Sequence, residues 1–295
     1  MALYSCSIKN IKRGVGASSV AKSAYNSRTR LIDMRTGNSY DYSRKKDLGF
    51  SEIITPENIP DWVKDRQQLW AKNELANKRR DARVAKEILV ALPRELDTNE
   101  QLHLVRKFVA ENLTSLGVIA DINAHELDPL SLSPDKRDDW NPHCHILIST
   151  QHIVDGEFAH KIVELNDRKF IIDIRKSWAE LVNQRLESIG SSARVDHRSY
   201  QARGIEKIPQ IHLGHRACRL RKRGIATDRG ERYQEIEERN QEIEGIKESV
   251  RVAIELAGGQ TEQAAFDVEA QIELYSGSQQ ETVTEDAKRL SLIHI

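Results

Sequence analysis

His143 and His145 stand two apart in NPHCHILIST, at the start of an apolar run that reads as a strand after an Asn141-Pro142 turn. Side chains two apart on a strand share a face, so both imidazoles point one way and Cys144 points the other. Upstream, GVIADINAHE is a second apolar run, and it leads into His125. The segment between the runs is polar and turn-rich, so the two can pair antiparallel and bring His125 beside the other two. Three imidazoles converging on one point make a metal site with open positions for substrate. The plainer reading, two half-exposed histidines at a strand start and an unrelated third, loses ground to the rest of the chain.

A second group with chemical potential is Tyr25 in KRGVGASSVAKSAYNSR. Gly14 and Gly16 make a flexible turn, and Ser18 or Ser19 can cap a helix running to Arg28. Lys22, Tyr25 and Arg28 are spaced three apart and lie on one helical face. A nucleophilic phenol needs nearby positive charge to favour its anion, because a free tyrosine ionises only near pH ~10. The competing reading is an amphipathic helix whose tyrosine packs and whose cations snorkel. GASSVAKS, residues 16–23, also nearly matches a phosphate-cradling loop, but Ala21 stands where the second glycine belongs.

The other elements must position these groups. Ala2 to Ile11 reads as a first strand. Residues 33–60 are turn-rich and partly basic, an exposed hairpin or loop. A helix is expected from Asp61 to Arg83, ending in KRRDAR, which reads either as a nucleic-acid backbone contact or as a solvated turn. AKEILVAL, residues 85–92, is a buried strand carrying Glu87, a carboxylate too costly there unless paired or given work. Asp97 can cap the next helix, which Gly117 ends. EFAHKIVELN and KFIIDIR are irregular in pattern, and Ile174 to Ile189 is amphipathic.

Total charge is zero, 45 basic against 45 acidic, but it is unevenly spread. From residue 230 on there are 15 acidic and 6 basic residues, leaving 30 acidic and 39 basic before it. A basic body suits a polyanionic partner. Arg194 to Arg223 alone holds nine Lys/Arg against two acidic residues, with Tyr200 and three histidines interleaved. Within it Arg198, Arg219, Arg221, Lys222 and Arg223 are candidate DNA contacts, with Lys22 and Arg28 beside the tyrosine. Residues 1–230 are expected to form one domain, 231–257 a charged helix, and 258–295 a polar, acidic, flexible tail. Cys6, Cys144 and Cys218 show no paired spacing, which points to a reducing compartment. The N-terminus has no long apolar core and no run approaches membrane-spanning length, so a cytoplasmic protein without membrane insertion is expected.

In order along the chain, SIKNIKRGVGASSVAKSAYNSR, AKEILVALPREL, H-x(17)-H-x-H ending in NPHCHILIS, and VDHRSY followed by GIEKIPQIHLG resemble the MobA/MobL family of plasmid mobilisation relaxases. Within it they are most similar to the relaxase region of conjugal transfer proteins. The resemblance spans about residues 1–245. It implies an α+β fold of the histidine-hydrophobic-histidine endonuclease type, a central antiparallel sheet with flanking helices, joined here to a helical C-terminal part. It also implies a metal-dependent enzyme that nicks single-stranded DNA at a transfer origin through a 5′-phosphotyrosine intermediate. Carried over, Tyr25 matches the nucleophile, and His125, His143 and His145 match the ligands of a divalent metal, Mn²⁺ or Mg²⁺. Glu87 matches an acidic position in its strand. The sequence departs from the pattern in the long insertion between His125 and Asn141 and in having Glu126 where relatives place aspartate. Accessory mobilisation proteins and a coupling ATPase are the protein partners such an enzyme implies. Two other readings stand beside this one: a rolling-circle replication initiator with the same chemistry, and a non-catalytic DNA-binding module.

Overall fold

HILI can be apolar on both faces because the strand it forms is covered on both sides. In this structure, a computed structural model describing residues 4–128 and 140–256, that strand is the centre of a five-stranded antiparallel sheet. Numbered along the chain, the strands are β1 (Cys6–Lys12), β2 (Arg30–Ile32), β3 (Ser39–Asp41), β4 (Leu48–Ile54), β5 (Arg83–Ala91), β6 (Ala120–His125), β7 (His143–Ile148), β8 (Gln151–Val154) and β9 (Glu157–Lys161). The sheet order is β1-β5-β7-β6-β4, while β2-β3 and β8-β9 are separate two-stranded ribbons. The helices are α1 (Ser19–Ser27), α2 (Arg66–Ala76), α3 (Thr98–Asn112), α4 (Arg168–Ser188), α5 (Gly214–Lys222) and α6 (Asp228–Leu256).

Strand alternation sorts the core into two layers. Ile88, Val90, Ala120, Ile122, Ala124, Cys144, Ile146 and Ile148 face one side. There they bury the apolar stripes of α3 and α4, including Phe108 and Trp178 in edge contact at 5.2 Å. Val84, Ala85 and Leu147 belong to a smaller core on the other side, with Val20 and Ala24 of α1 and Leu69 and Trp70 of α2. Asp121, Asn123 and His125 alternate with the first-face residues of β6 and so lie on this second side.

Helix α1 is held there mainly by polar contacts. Of its buried residues four are Ser19, Ser23, Asn26 and Ser27. Buried Asp121 accepts from Ser23 Oγ (2.8 Å), Trp70 Nε1 (2.9 Å), Asn123 Nδ2 (2.8 Å) and the Arg66 guanidinium (2.9 Å). Buried Glu74 of α2 accepts from Ser19 N (2.7 Å), Ser19 Oγ (2.8 Å) and Arg13 Nη2 (2.6 Å).

Several boundaries differ from the sequence reading. The stretch 33–60 holds β3 and also β4, an edge strand of the main sheet; Gly49, Ser51 and Glu52 break its apolar pattern. The helix expected at Asp61 starts at Arg66, because Asp61–Lys64 forms a separate 3₁₀ turn and Asp65 caps through Gln68 N. It ends at Ala76, so KRRDAR runs from a loop into β5. Helix α3 ends at Asn112, with a 3₁₀ turn before Gly117, which adopts a left-handed conformation (φ 74°). EFAHKIVELN contains β9, and KFIIDIR is already helical, since α4 begins at Arg168. Asp97 does cap α3, in a reciprocal capping box with Glu100.

The described residues divide into two compact units, one ending at His197 and the other beginning at Arg198. In the second, Ile236 and Ile243 of α6 pack with Ile208, and Asn240 holds the Ile208 backbone N–H and C=O at 2.8 and 2.9 Å. The tail expected over 258–295 and most of the insertion after His125 lie outside the described residues.

Replacing Asp121 with Ala strips Arg66, Trp70 and Ser23 of a shared acceptor and leaves a desolvated guanidinium. The expected loss is about 3–5 kcal/mol of unfolding free energy, read from urea melts. Asp61→Ala, which removes a fully exposed pair with Lys64, is expected to change little. Equal effects at the two positions would contradict the role given to the buried carboxylate.

Candidate active site

β6 and β7 pair so that His125 and His143 are direct register partners, and His145 follows two residues along on the same face. Their ring centroids lie 4.8–5.3 Å apart, and one nitrogen from each falls within 4.8 Å of the others. His125 is fully buried and His145 nearly so, whereas His143 is partly open.

The hydrogen-bond partners set the tautomers. His145 Nδ1 faces Glu87 Oε1 at 2.7 Å, and His143 Nδ1 faces the Asn141 carbonyl at 2.7 Å. Both acceptors take an N–H, so both rings keep a free Nε2 lone pair. His125 is reversed: its Nε2 donates to the Asn26 carbonyl (2.7 Å), and its Nδ1 accepts from Arg28 Nη2 (3.2 Å). Burial pushes the His125 imidazole down to about 3 and holds His145 below its ordinary value too, against the pull of Glu87. Each ring thus commits one N–H to an oxygen and turns a lone pair inward, the donor set a divalent metal takes. Among the described residues no hydrogen bond reaches the Nε2 of His143 or His145, and Arg28 meets the Nδ1 of His125.

Glu87, on β5, lies behind this cluster. Its Oε1 also meets Lys22 Nζ at 2.9 Å and Asn26 Nδ2 at 3.3 Å. Burial works to raise this carboxyl, but the contacts with His145 and Lys22 prevail and bring it to about 2. The carboxylate in an apolar strand therefore orients a histidine and a lysine.

Tyr25 projects from α1 over the histidines. Its ring meets His125 and His145 edge-on, with centroids at 6.3 and 6.2 Å. Arg28 Cζ lies 4.4 Å and Lys22 Nζ 5.2 Å from the ring centroid. Sequence spacing missed two neighbours: Lys45 Nζ at 4.7 Å and Tyr42 at 5.3 Å. Both come from the segment between β3 and β4, which Arg28 ties down through Asp47 at 2.8 and 2.6 Å. The basic run RKKD was their only sequence signal.

The other tyrosines are placed differently. Tyr4 gives its hydroxyl to the Arg175 carbonyl (2.9 Å) and packs with the α3–α4 layer. Tyr200, with Arg203 6.0 Å from its ring, and Tyr233, under Arg221 at 4.8 Å, belong to the second unit. So do Arg198, Arg219, Arg221, Lys222 and Arg223, the last four at the C-terminal end of α5. Tyr275 lies outside the described residues. A phosphate-cradling role for residues 16–23 is overturned: the backbone N–H of Ser19, which would face phosphate, is bonded to Glu74.

The sequence profile of the MobA/MobL family matches residues 17–223. A mobilization protein MobL from Acidithiobacillus ferridurans is 34% identical over 250 residues, which cover 76% of this chain and 65% of that one. A conjugal transfer protein TraA from Agrobacterium fabrum is 29% identical over 245 residues, 72% of this chain and 21% of that one. The chain therefore spans under two thirds of the first and about a fifth of the second. A chain solved in work on the molecular basis of vancomycin resistance transfer in Staphylococcus aureus matches with a TM-score of 0.60 and 34% identity. That match covers 68% of this chain and 100% of that one.

Glu87→Gln keeps the shape and removes the charge that polarises His145. Mn²⁺ affinity measured by titration calorimetry is expected to fall roughly 10–100-fold. An unchanged isotherm would show that Glu87 does not support the ligand set.

Proposed function

The chain belongs to the MobA/MobL family, and from that premise we propose that it is a relaxase whose Tyr25 nicks one DNA strand at a plasmid transfer origin. The observation that carries this reading is the position of the Tyr25 ring edge-on to two members of a three-imidazole cluster, in which one nitrogen from each ring lies within 4.8 Å of the others. Tyr25 Oη attacks a phosphodiester, the bond from phosphorus to the 3′-oxygen breaks, and a 5′-phosphotyrosine forms. The phenol loses its proton, and the departing 3′-oxygen gains one. The phosphotyrosine keeps the bond energy, so the free 3′-hydroxyl can reverse the step.

The residues divide the work. His125, His143 and His145 would hold a divalent ion, Mn²⁺ in preference to Mg²⁺ because imidazole suits it better. Bound there, such an ion supplies Lewis-acid stabilisation of the non-bridging phosphate oxygens. Lys22 and Arg28 fix the tyrosine rather than bind phosphate, since Glu87 and Asp47 neutralise them. Lys45, exposed and over the ring, is the cation best placed to meet the incoming strand. In the second unit, Arg219, Arg221, Lys222 and Arg223 would track the DNA backbone, with Arg198 at that unit's start.

Incubation with single-stranded origin DNA and Mn²⁺ is expected to leave a covalent adduct on the new 5′ end, mapped to the Tyr25 peptide by mass spectrometry. Tyr25→Phe is expected to bind DNA and form none. His143→Ala is expected to lose cleavage by more than the roughly 100-fold limit of an outer-sphere change. An adduct on another tyrosine, or one surviving in Tyr25→Phe, overturns the assignment.

Neutralising Arg219, Arg221, Lys222 and Arg223 together is expected to flatten the dependence of log affinity on log salt by roughly one unit per lost phosphate contact. An unchanged slope, from anisotropy titrations at several salt concentrations, would return this segment to a solvated surface.

A further inference from the structure

KRRDAR opens β5, and the same strand carries Glu87 under the histidines. Glu87 meets His145 on one side of the sheet, so Lys86 points to the other. At the end of the sheet where β5 begins and β7 has ended is a cavity of about 520 Å³, lined in part by Ala76 and Asn77 at the end of α2. Lys78, Arg79, Arg83, Lys86 and Lys161 line it, against a single carboxylate, Asp81. That carboxylate is already paired with Arg79 at 3.1 Å.

Among the described residues none of the other four cations forms an ion pair, and three of them have neutral hydrogen-bond partners. Lys86 Nζ donates to Asn10 Oδ1 at 2.8 Å. Lys161 Nζ donates to Asn77 Oδ1 (2.6 Å), Thr150 Oγ1 (2.8 Å) and the Arg83 carbonyl (3.1 Å). Arg83 Nη1 lies 3.5 Å from Asn166 Oδ1. Lys86 is almost fully buried. Burial, with Arg83 nearby, lowers its affinity for its proton, and burial with Arg13 brings Lys161 down to about 8. A desolvated charge without a counter-ion is costly, and Lys86 is in that position, while Lys78, Arg83 and Lys161 stand exposed around it. Four cations converging on a recess of ligand-binding size are satisfied together by an anion with several oxygens.

We propose that this cavity is a phosphate-binding site, distinct from the histidine centre and built at the other end of β5. Its ligand is a phosphate group of a nucleotide or of a DNA strand passing over this end of the sheet. The cavity holds one or two phosphates at a fixed place, so its contribution is positional. The proposal does not depend on the nicking chemistry, because no histidine-centre residue lines the cavity.

The test uses the full chain in excess chelator, at constant ionic strength set with chloride. Pyrophosphate and ADP are expected to raise the unfolding midpoint by several degrees at saturating concentration. Lys86→Met, and separately the exposed pair Lys78→Gln with Arg83→Gln, are expected to weaken that binding at least tenfold. The exposed pair keeps the test open if the buried substitution does not fold by circular dichroism. If a short oligothymidylate displaces pyrophosphate, and its own affinity falls in the variants, the phosphate comes from a strand. If it does not compete, the ligand is a free nucleotide. No midpoint shift in the wild type, or equal shifts in wild type and folded variants, overturns the site.

Discussion

Buried carboxylates fix the helix that carries the tyrosine. Asp121, Glu74 and Glu87 lie between α1, α2 and the sheet, each almost wholly removed from water. A carboxylate there is tolerable only when several donors converge on it, and each of these has three or more. Apolar packing lets a helix slide or rotate at small cost. A serine-lined face bonded to fixed carboxylates does not, because any shift strands both donors and charge. The placement of Tyr25 against two imidazoles follows from that constraint.

The same logic reaches the histidines. Their ring orientations are set by a carboxylate and two backbone carbonyls, so the inward lone pairs are fixed before any ligand arrives. Arg28 joins the two halves of the site. In the left-handed conformation (φ 54°) that ends α1, its side chain folds back over Tyr25. It then reaches Asp47 and His125 Nδ1. One guanidinium thus couples the β3–β4 segment, the helix that carries Tyr25 and the histidine cluster. A ligand taking His125 Nδ1 would have to displace Arg28 from that nitrogen, the same guanidinium that holds Asp47.

The central part of this architecture was legible because period-two alternation specifies it strongly. His143, Cys144 and His145 could be assigned to faces from sequence, and the antiparallel pairing that meets His125 followed from two apolar runs around a polar spacer. Glu87 stood out as an expensive residue in an apolar strand. Asp121 and Glu74 did not, because a single acidic residue at the start of a strand or late in a helix looks solvated until its partners are known. β4 was hidden by its edge position, where Gly49, Ser51 and Glu52 need no apolar face. Lys45 and Tyr42 were invisible to spacing arguments, since the segment bearing them reaches Tyr25 through a tertiary ion pair and not through helical periodicity.

Charge around the phenol is nearly balanced, and the balance has a consequence. Lys22 and Arg28 flank Tyr25 in sequence and suggest a strongly positive pocket. Yet each is bonded to a carboxylate that cancels most of its field at distance. What they retain is geometry: short contacts that hold the ring and the histidines in one arrangement. On the proposed function, the positive potential an incoming phosphodiester would meet depends on Lys45 and on an ion the three imidazoles would hold, because neutral ligands leave a dication's charge undiminished. A site built this way separates two tasks that one set of cations would otherwise share. On the proposed chemistry, paired charges would position the tyrosine, and charge without an ion pair among the described residues would be kept for the phosphodiester.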